Sequence, residues 1–201
     1  MATIYDLKPA FQNLLRPLVG RLAAAGVTAN QVTLAALALS LLTAAGLAAW
    51  PASRVMLLLV PLVLFLRMAL NAIDGMLARE YDMKTPLGAV LNELGDVISD
   101  AALYGAFALV PGLSPLLVVL AVLLALISEM TGVIGVQIGA SRRYDGPMGK
   151  SDRAFVFGVL ALAGGLGIPL AGWSDWLLGL VCGLLVLTIL NRARAALAEL
   201  G

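Results

Sequence analysis

Histidine is absent from this chain of 201 residues, and cysteine occurs once, at Cys182. A single cysteine excludes an intrachain disulfide and argues against a metal cluster held by thiolates. Without histidine, proton transfer near neutral pH must fall to carboxylates. Any bound metal is therefore expected to be a hard ion with oxygen ligands, such as Mg²⁺ or Mn²⁺.

Charged residues are also scarce. They make up 12% of the chain, against 61% hydrophobic residues and a mean hydropathy of +0.99. A soluble domain carries about 25% charged residues, so the composition indicates an integral membrane protein within a lipid bilayer. The net charge is only +1, which gives no reason to expect nucleic acid as a partner.

Six apolar segments are long enough to cross a bilayer, which takes about 20 residues. They predict an all-α bundle of six transmembrane helices within residues 31–195, and one membrane domain that covers residues 1–201. The predicted spans are residues 31–50, 54–78, 87–110, 115–139, 153–171 and 174–195.

The first 25 residues repeat apolar side chains every three or four positions, from Ile4 to Leu22, with Lys8, Arg16 and Arg21 between them. This pattern predicts an amphipathic helix at the membrane interface, over residues 1–25 and interrupted near Pro9 and Pro17. A packed helix of a small soluble lobe is the alternative. The early charges do not fit a removable signal peptide, so the N-terminus is expected to stay.

Basic residues are concentrated in alternate connections and at both termini. The positive-inside rule therefore places both termini and the connections near residues 80 and 145 in the cytoplasm. In a bacterium, the protein would lie in the inner or plasma membrane. The connection residues are Arg79, Lys84, Arg142, Arg143, Lys150 and Arg153.

Polar side chains recur at helical spacing inside two of these spans. Asn71 and Asp74 are three residues apart, whereas Asn92, Asp96 and Asp100 are four apart, so each set shares one helix face. Two neighbouring antiparallel helices could bring these oxygens together as a metal site near the cytoplasmic surface. The alternative is that the groups only pair with one another, although so many buried polar groups would be costly.

The residues after Asp74 are suited to a phosphate ligand. Gly75 and Ala78 remove bulk where a ligand could approach the backbone, and Arg79 could pair with a phosphate.

The chain resembles the CDP-alcohol phosphotransferase family, also called CDP-alcohol phosphatidyltransferases. The family pattern is DxxDGxxAR, eight residues and then GxxxDxxxD, and the chain has its spacing throughout. The resemblance covers essentially the whole chain, because six helices, an N-terminal juxtamembrane helix and a cytoplasmic site also agree. The matching residues are Asp74, Gly75, Ala78, Arg79, Gly88 and Asp96.

The resemblance implies a phospholipid-synthesising enzyme that acts on CDP-diacylglycerol and a polar alcohol, releases CMP and forms a homodimer. Asp96 would be the catalytic base that takes the proton of the alcohol. The metal, Mg²⁺ or Mn²⁺, would be held by Asn71, Asp74, Asn92 and Asp96. The nucleotide and diphosphate would be bound by Asp74, Gly75, Ala78, Arg79 and Gly88.

Asn71 and Asn92 depart from the family pattern, because they stand at its first and third aspartates. Two carboxylates then replace four. Glu93 or Asp100 could compensate by supporting the metal ligands, or a single ion could suffice. Otherwise activity is weakened, which would leave a CDP-lipid-binding or scaffolding membrane protein. A transporter that uses the carboxylates as a relay is a third hypothesis, against which the Gly75–Arg79 pocket argues.

Three further groups have open interpretations. Thr28 or Asn30 could cap the first membrane helix, or the segment with Thr28, Asn30 and Thr33 could neighbour the cytidine, as a similar segment of the family does. Lys150 and Arg153 could bind the phosphate of an acceptor such as glycerol 3-phosphate, or serve only as topogenic charges.

Arg67 and Glu129 lie deep inside two predicted spans. The preferred interpretation is an ion pair within the membrane.

Overall fold

The computed structural model describes residues 4–201, with side chains from residue 9 onward. Within residues 4–201 it contains helices and no strand, so the predicted all-α class is confirmed. The helices are α1 Ile4–Ala24, α2 Ala29–Ala49, α3 Arg54–Glu80, α4 Pro86–Gly105, α5 Pro115–Gln137, α6 Lys150–Gly165 and α7 Trp173–Leu200, and a short 3₁₀ helix, Ala106–Leu109, follows α4.

Four of these helices, α2, α3, α5 and α7, are long and apolar enough to cross a membrane. Helix α6 has 16 residues and is about 24 Å long, which is less than the roughly 30 Å of a bilayer core. Helix α4 has 20 residues, but Glu93, Asp96 and Asp100 make it less apolar than a typical span. The six-span count therefore stays a prediction.

Helix α1 runs without interruption through Pro9 and Pro17, so the predicted break near these prolines is wrong. A proline inside a helix removes one backbone hydrogen bond, and packing of the helix can offset that loss. Here Val19 is fully buried, whereas Leu14 is 75% exposed. Residues 1–3 of the predicted interfacial helix lie outside the described residues.

The helices form two compact units. The first unit comprises the chain up to Leu41 and residues 63–99. Its apolar core joins α1, α2 and α3, and at the surface Arg16 of α1 donates two hydrogen bonds to the carboxylate of Glu80, at 3.0 and 3.2 Å. These contacts fix α1 against the end of α3. The core residues are Val19, Ala29, Val32, Ile73, Met76 and Leu77.

The second unit comprises residues 42–62 and 100–201. Its core lies between α5 and α7 and includes Met148 from the loop between α5 and α6. Cys182 of α7 is a buried free thiol in this core. Beside it, the ring of Tyr104 stacks on Phe157 with centroids 4.3 Å apart. Ser114 caps the N-terminus of α5, because its hydroxyl accepts a hydrogen bond from the backbone nitrogen of Leu117.

Candidate functional site

Four polar side chains of the first unit meet where α3 approaches α4. We call Asn71, Asp74, Asn92 and Asp96 the signature quartet. Asp74 is 4% exposed, and the other three are partly buried. The spacing of three and four residues places each pair on one face of its helix, as the sequence predicted.

The signature quartet is joined crosswise between the two helices. Asn71 of α3 donates from its amide nitrogen to Asp96 Oδ1 of α4 at 3.1 Å. Asn92 of α4 donates in the opposite direction, to Asp74 Oδ2 of α3 at 3.5 Å. The asparagines therefore face the two carboxylates, and each would face a like charge if it were aspartate.

Thr33 of α2 is an additional member of the site. Its buried hydroxyl donates to Asp74 Oδ2 at 2.8 Å and lies 3.1 Å from the carbonyl oxygen of Ala29. The N-terminus of α2 is capped by other residues. Thr28 and Gln31 exchange hydrogen bonds between side chain and backbone as a capping box. Of the two sequence interpretations, Thr28 fits the cap, and Thr33 contacts the signature quartet.

Two glycines of the signature leave room for particular side chains. A Cβ on Gly75 would lie 3.1 Å from the guanidinium of Arg79, which folds back along α3. A Cβ on Gly88 would lie 2.7 Å from Asn30 Oδ1 and 3.0 Å from the Thr85 hydroxyl. Ala78 is partly buried and Arg79 is exposed, so the guanidinium is accessible to a ligand.

Arg67 contacts the signature quartet, and its predicted ion pair with Glu129 stays a prediction. Its Nη2 lies 3.4 Å from Asp96 Oδ1 and 3.2 Å from the Asp96 carbonyl oxygen. Arg67 is 3% exposed and lies one helical turn before Asn71. A buried guanidinium therefore adjoins the proposed base.

The donor set can be tested against a hard divalent ion. Within residues 4–201, no three Asp, Glu, His or Cys side chains are grouped as metal ligands. The signature quartet nevertheless offers two carboxylates, and either amide can turn its oxygen inward by a half rotation. Carboxylate and neutral amide oxygens are the ligands that a hard divalent ion such as Mg²⁺ or Mn²⁺ takes, so these residues fit such an ion.

Of the two predicted supporting carboxylates, Glu93 is partly buried on α4. Asp100 is 4% exposed and belongs to the second unit. Its Oδ2 accepts a hydrogen bond from Arg153 Nη2 at 2.9 Å. The Asp100 carboxylate thus supports an arginine within its own unit.

A second charged group lies inside the second unit, and we call it the arginine cluster: Asp100, Glu129, Arg142, Arg153 and Arg192. Glu129 is its centre. Glu129 Oε1 accepts from Arg153 at 3.0 Å, while Oε2 lies 3.0 Å from Arg142 and 3.3 Å from Arg192. The sequence did not predict Arg142 or Arg192 as members of a site. In the sequence, these two residues are only basic side chains near the ends of predicted spans. A role in setting the membrane topology explains such charges equally well.

Arg153 and Lys150, the predicted acceptor residues, begin α6. Lys150 is partly buried, whereas Arg153 is 2% exposed. Nε and Nη1 of Arg153 are buried and have no hydrogen-bond partner among the described residues. A small cavity lined by Tyr104, Ala125 and Arg153 adjoins them, with room for about one water molecule.

The loop before α6 is held over the same unit by ion pairs. Arg143 pairs with Asp145 at 2.9 Å and with Glu199 of α7, and its backbone nitrogen donates to the carbonyl oxygen of Gly132. The hydrogen bonds from Arg143 hold the pKa of Asp145 below its ordinary value. Gly132 has no side chain where the guanidinium of Arg142 lies.

Comparison with known proteins gives concordant matches. The family model for CDP-alcohol phosphatidyltransferase matches residues 26–190. The inner membrane protein YnbA of Escherichia coli (strain K12) is 48% identical over 195 residues, covering 97% of this chain and 96% of that protein. An uncharacterized protein of Aquifex aeolicus (strain VF5) is 38% identical over 95 residues, which cover 47% of this chain and 46% of that protein.

Among solved structures, the fold is similar to that of the Mycobacterium tuberculosis phosphatidylinositol phosphate synthase PgsA1 with CDP-DAG bound. The TM-score is 0.69 and the identity is 20%, with 91% of each chain covered. At this identity the likeness concerns the fold. Together with the four apolar helices, the match to an inner membrane protein identifies this chain as a membrane protein.

Proposed function

Since the chain belongs to the CDP-alcohol phosphatidyltransferase family, whose members are enzymes of phospholipid synthesis, we propose that it transfers a phosphatidyl group from CDP-diacylglycerol to a polar alcohol. The observation that carries this proposal is the signature quartet, in which two hydrogen-bonded pairs join α3 to α4 across 25 and 18 positions of the chain. The CDP-DAG bound to the structurally similar synthase supports the choice of donor.

The donor would be held by the first unit. Asp74 and Asp96, with the amide oxygens of Asn71 and Asn92, would hold one Mg²⁺ or Mn²⁺. When bound, the ion supplies neutralisation of the diphosphate charge. Arg79 would pair with a phosphate oxygen, and Gly75, Ala78 and Gly88 would leave space for the nucleotide.

Asp96 would act on the acceptor. Its carboxylate takes the hydroxyl proton of the alcohol as the alcohol oxygen bonds to the phosphorus next to the diacylglycerol. The bond from that phosphorus to the oxygen of CMP breaks, and CMP leaves with the electron pair. Thr33 fixes the Asp74 carboxylate through its 2.8 Å hydrogen bond, so positioning and charge compensation would supply most of the acceleration.

The acceptor is proposed to carry a phosphate, as glycerol 3-phosphate does. The arginine cluster has three guanidiniums and two carboxylates, so one positive charge is uncompensated within it. This excess of positive charge supports an anionic ligand near the cluster, whereas the buried Nε and Nη1 of Arg153 adjoin a cavity with room for about one water molecule. Lys150, at the start of the same helix, would add a second cation.

The membrane arrangement is proposed as one domain over residues 1–201 with six spans, both termini and the signature quartet on the cytoplasmic side, and a homodimer in a bacterial inner membrane. The basic residues of the loop at 142–153 support this orientation. Exposed Leu14 and Leu18 on α1 support a helix that lies at the lipid surface.

A catalytically weakened, CDP-lipid-binding relative is the second candidate. The observation that favours it is that Asn71 and Asn92 donate hydrogen bonds to the carboxylates, which stabilises the site without a metal. Such a protein would bind CDP-diacylglycerol and form no product.

To test the proposed function, the purified protein is incubated with CDP-diacylglycerol, Mg²⁺ or Mn²⁺, and glycerol 3-phosphate, inositol or serine in turn. Lipid products are identified by mass spectrometry. We expect phosphatidylglycerol phosphate from glycerol 3-phosphate, its loss in Asp96→Asn, and unchanged yield in Asp175→Asn, a matched control at the start of α7. Donor binding without any lipid product would favour the weakened relative.

A further inference from the structure

Arg67 places a permanent positive charge in the signature quartet. Its guanidinium lies 3.4 Å from Asp96 Oδ1, the same oxygen that accepts the hydrogen bond of Asn71 at 3.1 Å. The side chain of Arg67 is 4% exposed, so solvent screens this charge weakly. Arginine keeps its proton under all ordinary conditions, so the charge is constant.

The local charge therefore differs strongly from that of the family pattern. Four aspartates would carry four negative charges, which suits two divalent ions. Here the two aspartates of the signature quartet and Arg67 sum to one net negative charge. Asp100 is buried and pairs with Arg153 at 2.9 Å, so an arginine already compensates its charge. A second divalent ion would meet two neutral amides and a nearby guanidinium.

We infer that Arg67 takes the charge-compensating role of a second divalent ion, so that the signature quartet binds one divalent ion per subunit. Arg67 thereby acts through the positive charge that it places beside Asp96. The cross-helix bonds of Asn71 and Asn92 agree with this assignment, since they hold the α3 and α4 halves together without a bridging ion. The inference rests on the proposed function and names the metal content of that same site.

The test is the binding of Mn²⁺ alone, measured by electron paramagnetic resonance of the free ion during titration of the detergent-purified protein. We expect one Mn²⁺ per subunit. Arg67→Met should bind that Mn²⁺ about tenfold more tightly, because a repelling charge a few ångströms away is removed. A purely structural Arg67 would give the opposite change, since its loss would disorder Asp96. Arg67→Lys should keep both the single ion and the affinity of the unaltered protein.

Aspartates in place of Asn71 and Asn92 should allow a second ion to bind only when Arg67 is also replaced. The triple variant R67M/N71D/N92D is expected to bind two Mn²⁺ per subunit, with spin coupling between the bound ions. Arg54→Met, which replaces an arginine at the opposite end of α3, is the matched control for Arg67→Met and should bind one Mn²⁺ per subunit with unchanged affinity.

Zero or two Mn²⁺ per subunit in the unaltered protein would overturn the inference, as would weaker binding in Arg67→Met. The proposed function fails separately. One Mn²⁺ per subunit with no lipid product would refute the proposed function and support the single-ion site. Two Mn²⁺ per subunit with lipid product would support the proposed function and refute the single-ion site.

Discussion

Glu129 is the acidic centre of the arginine cluster, and its replacement by glutamine is expected to destabilise the protein by about 3–5 kcal/mol. Its two carboxylate oxygens lie 3.0, 3.0 and 3.3 Å from three guanidiniums, two of which belong to arginines no more than 2% exposed. With Asp100, the cluster has a net charge of +1. Glutamine raises this to +2 in a buried setting, so the arginines lose their common partner.

The measurement is the free energy of unfolding in mixed micelles, with sodium dodecyl sulfate as the denaturant. Asp145→Asn is the control, because Asp145 also pairs with an arginine but its side chain is 41% exposed, and it should cost less than about 1 kcal/mol. Arg142→Gln added to Glu129→Gln restores the +1 charge and should recover part of the loss. A Glu129→Gln protein within about 1 kcal/mol of the original would refute the assigned role of Glu129.

Two substitutions at the signature quartet are expected to change catalysis. Thr33→Val removes the hydroxyl that donates to Asp74 at 2.8 Å, and kcat/KM for lipid formation should fall about tenfold, the value of a hydrogen bond to a charged group. Gly88→Ala places a methyl group 2.7 Å from Asn30 Oδ1, so the KM for CDP-diacylglycerol should rise as the start of α4 shifts.

Each of these has a matched control. Thr33→Ser keeps the hydroxyl and should retain most of the activity, so equal losses in Ser and Val variants would contradict a hydrogen-bonding role. Asn30→Ala combined with Gly88→Ala removes the crowding and should return the KM toward its original value. A KM unchanged by Gly88→Ala would show that the close approach has no effect on donor binding.

The sequence predicted the helices and the family because both depend on local information. Apolar length defined α2, α3, α5 and α7, and the fixed spacing of Asp74, Gly75 and Arg79 identified the family that the comparison confirmed. Proline misled the prediction of α1, because its local cost was weighed without the packing of Val19 and its neighbours.

The partners of buried charges could not be predicted in the same way. Arg67 pairs with a residue 29 positions away, and Arg192 donates to the carbonyl of Ser128, 64 positions away. Such pairs depend on how each helix is rotated about its axis, which spacing alone leaves open. The contact of Thr33 with Asp74, 41 positions away, was undetermined for the same reason.

The signature quartet is proposed to catalyse release of CMP from CDP-diacylglycerol. The most direct test of this proposal is the rate of CMP release by the purified protein with Mn²⁺ and glycerol 3-phosphate, compared between the unaltered protein and Asp74→Asn. We expect CMP in equal amount to the lipid product, and a rate lower by about 100-fold or more in Asp74→Asn. No CMP release, or the same rate in both proteins, would contradict it.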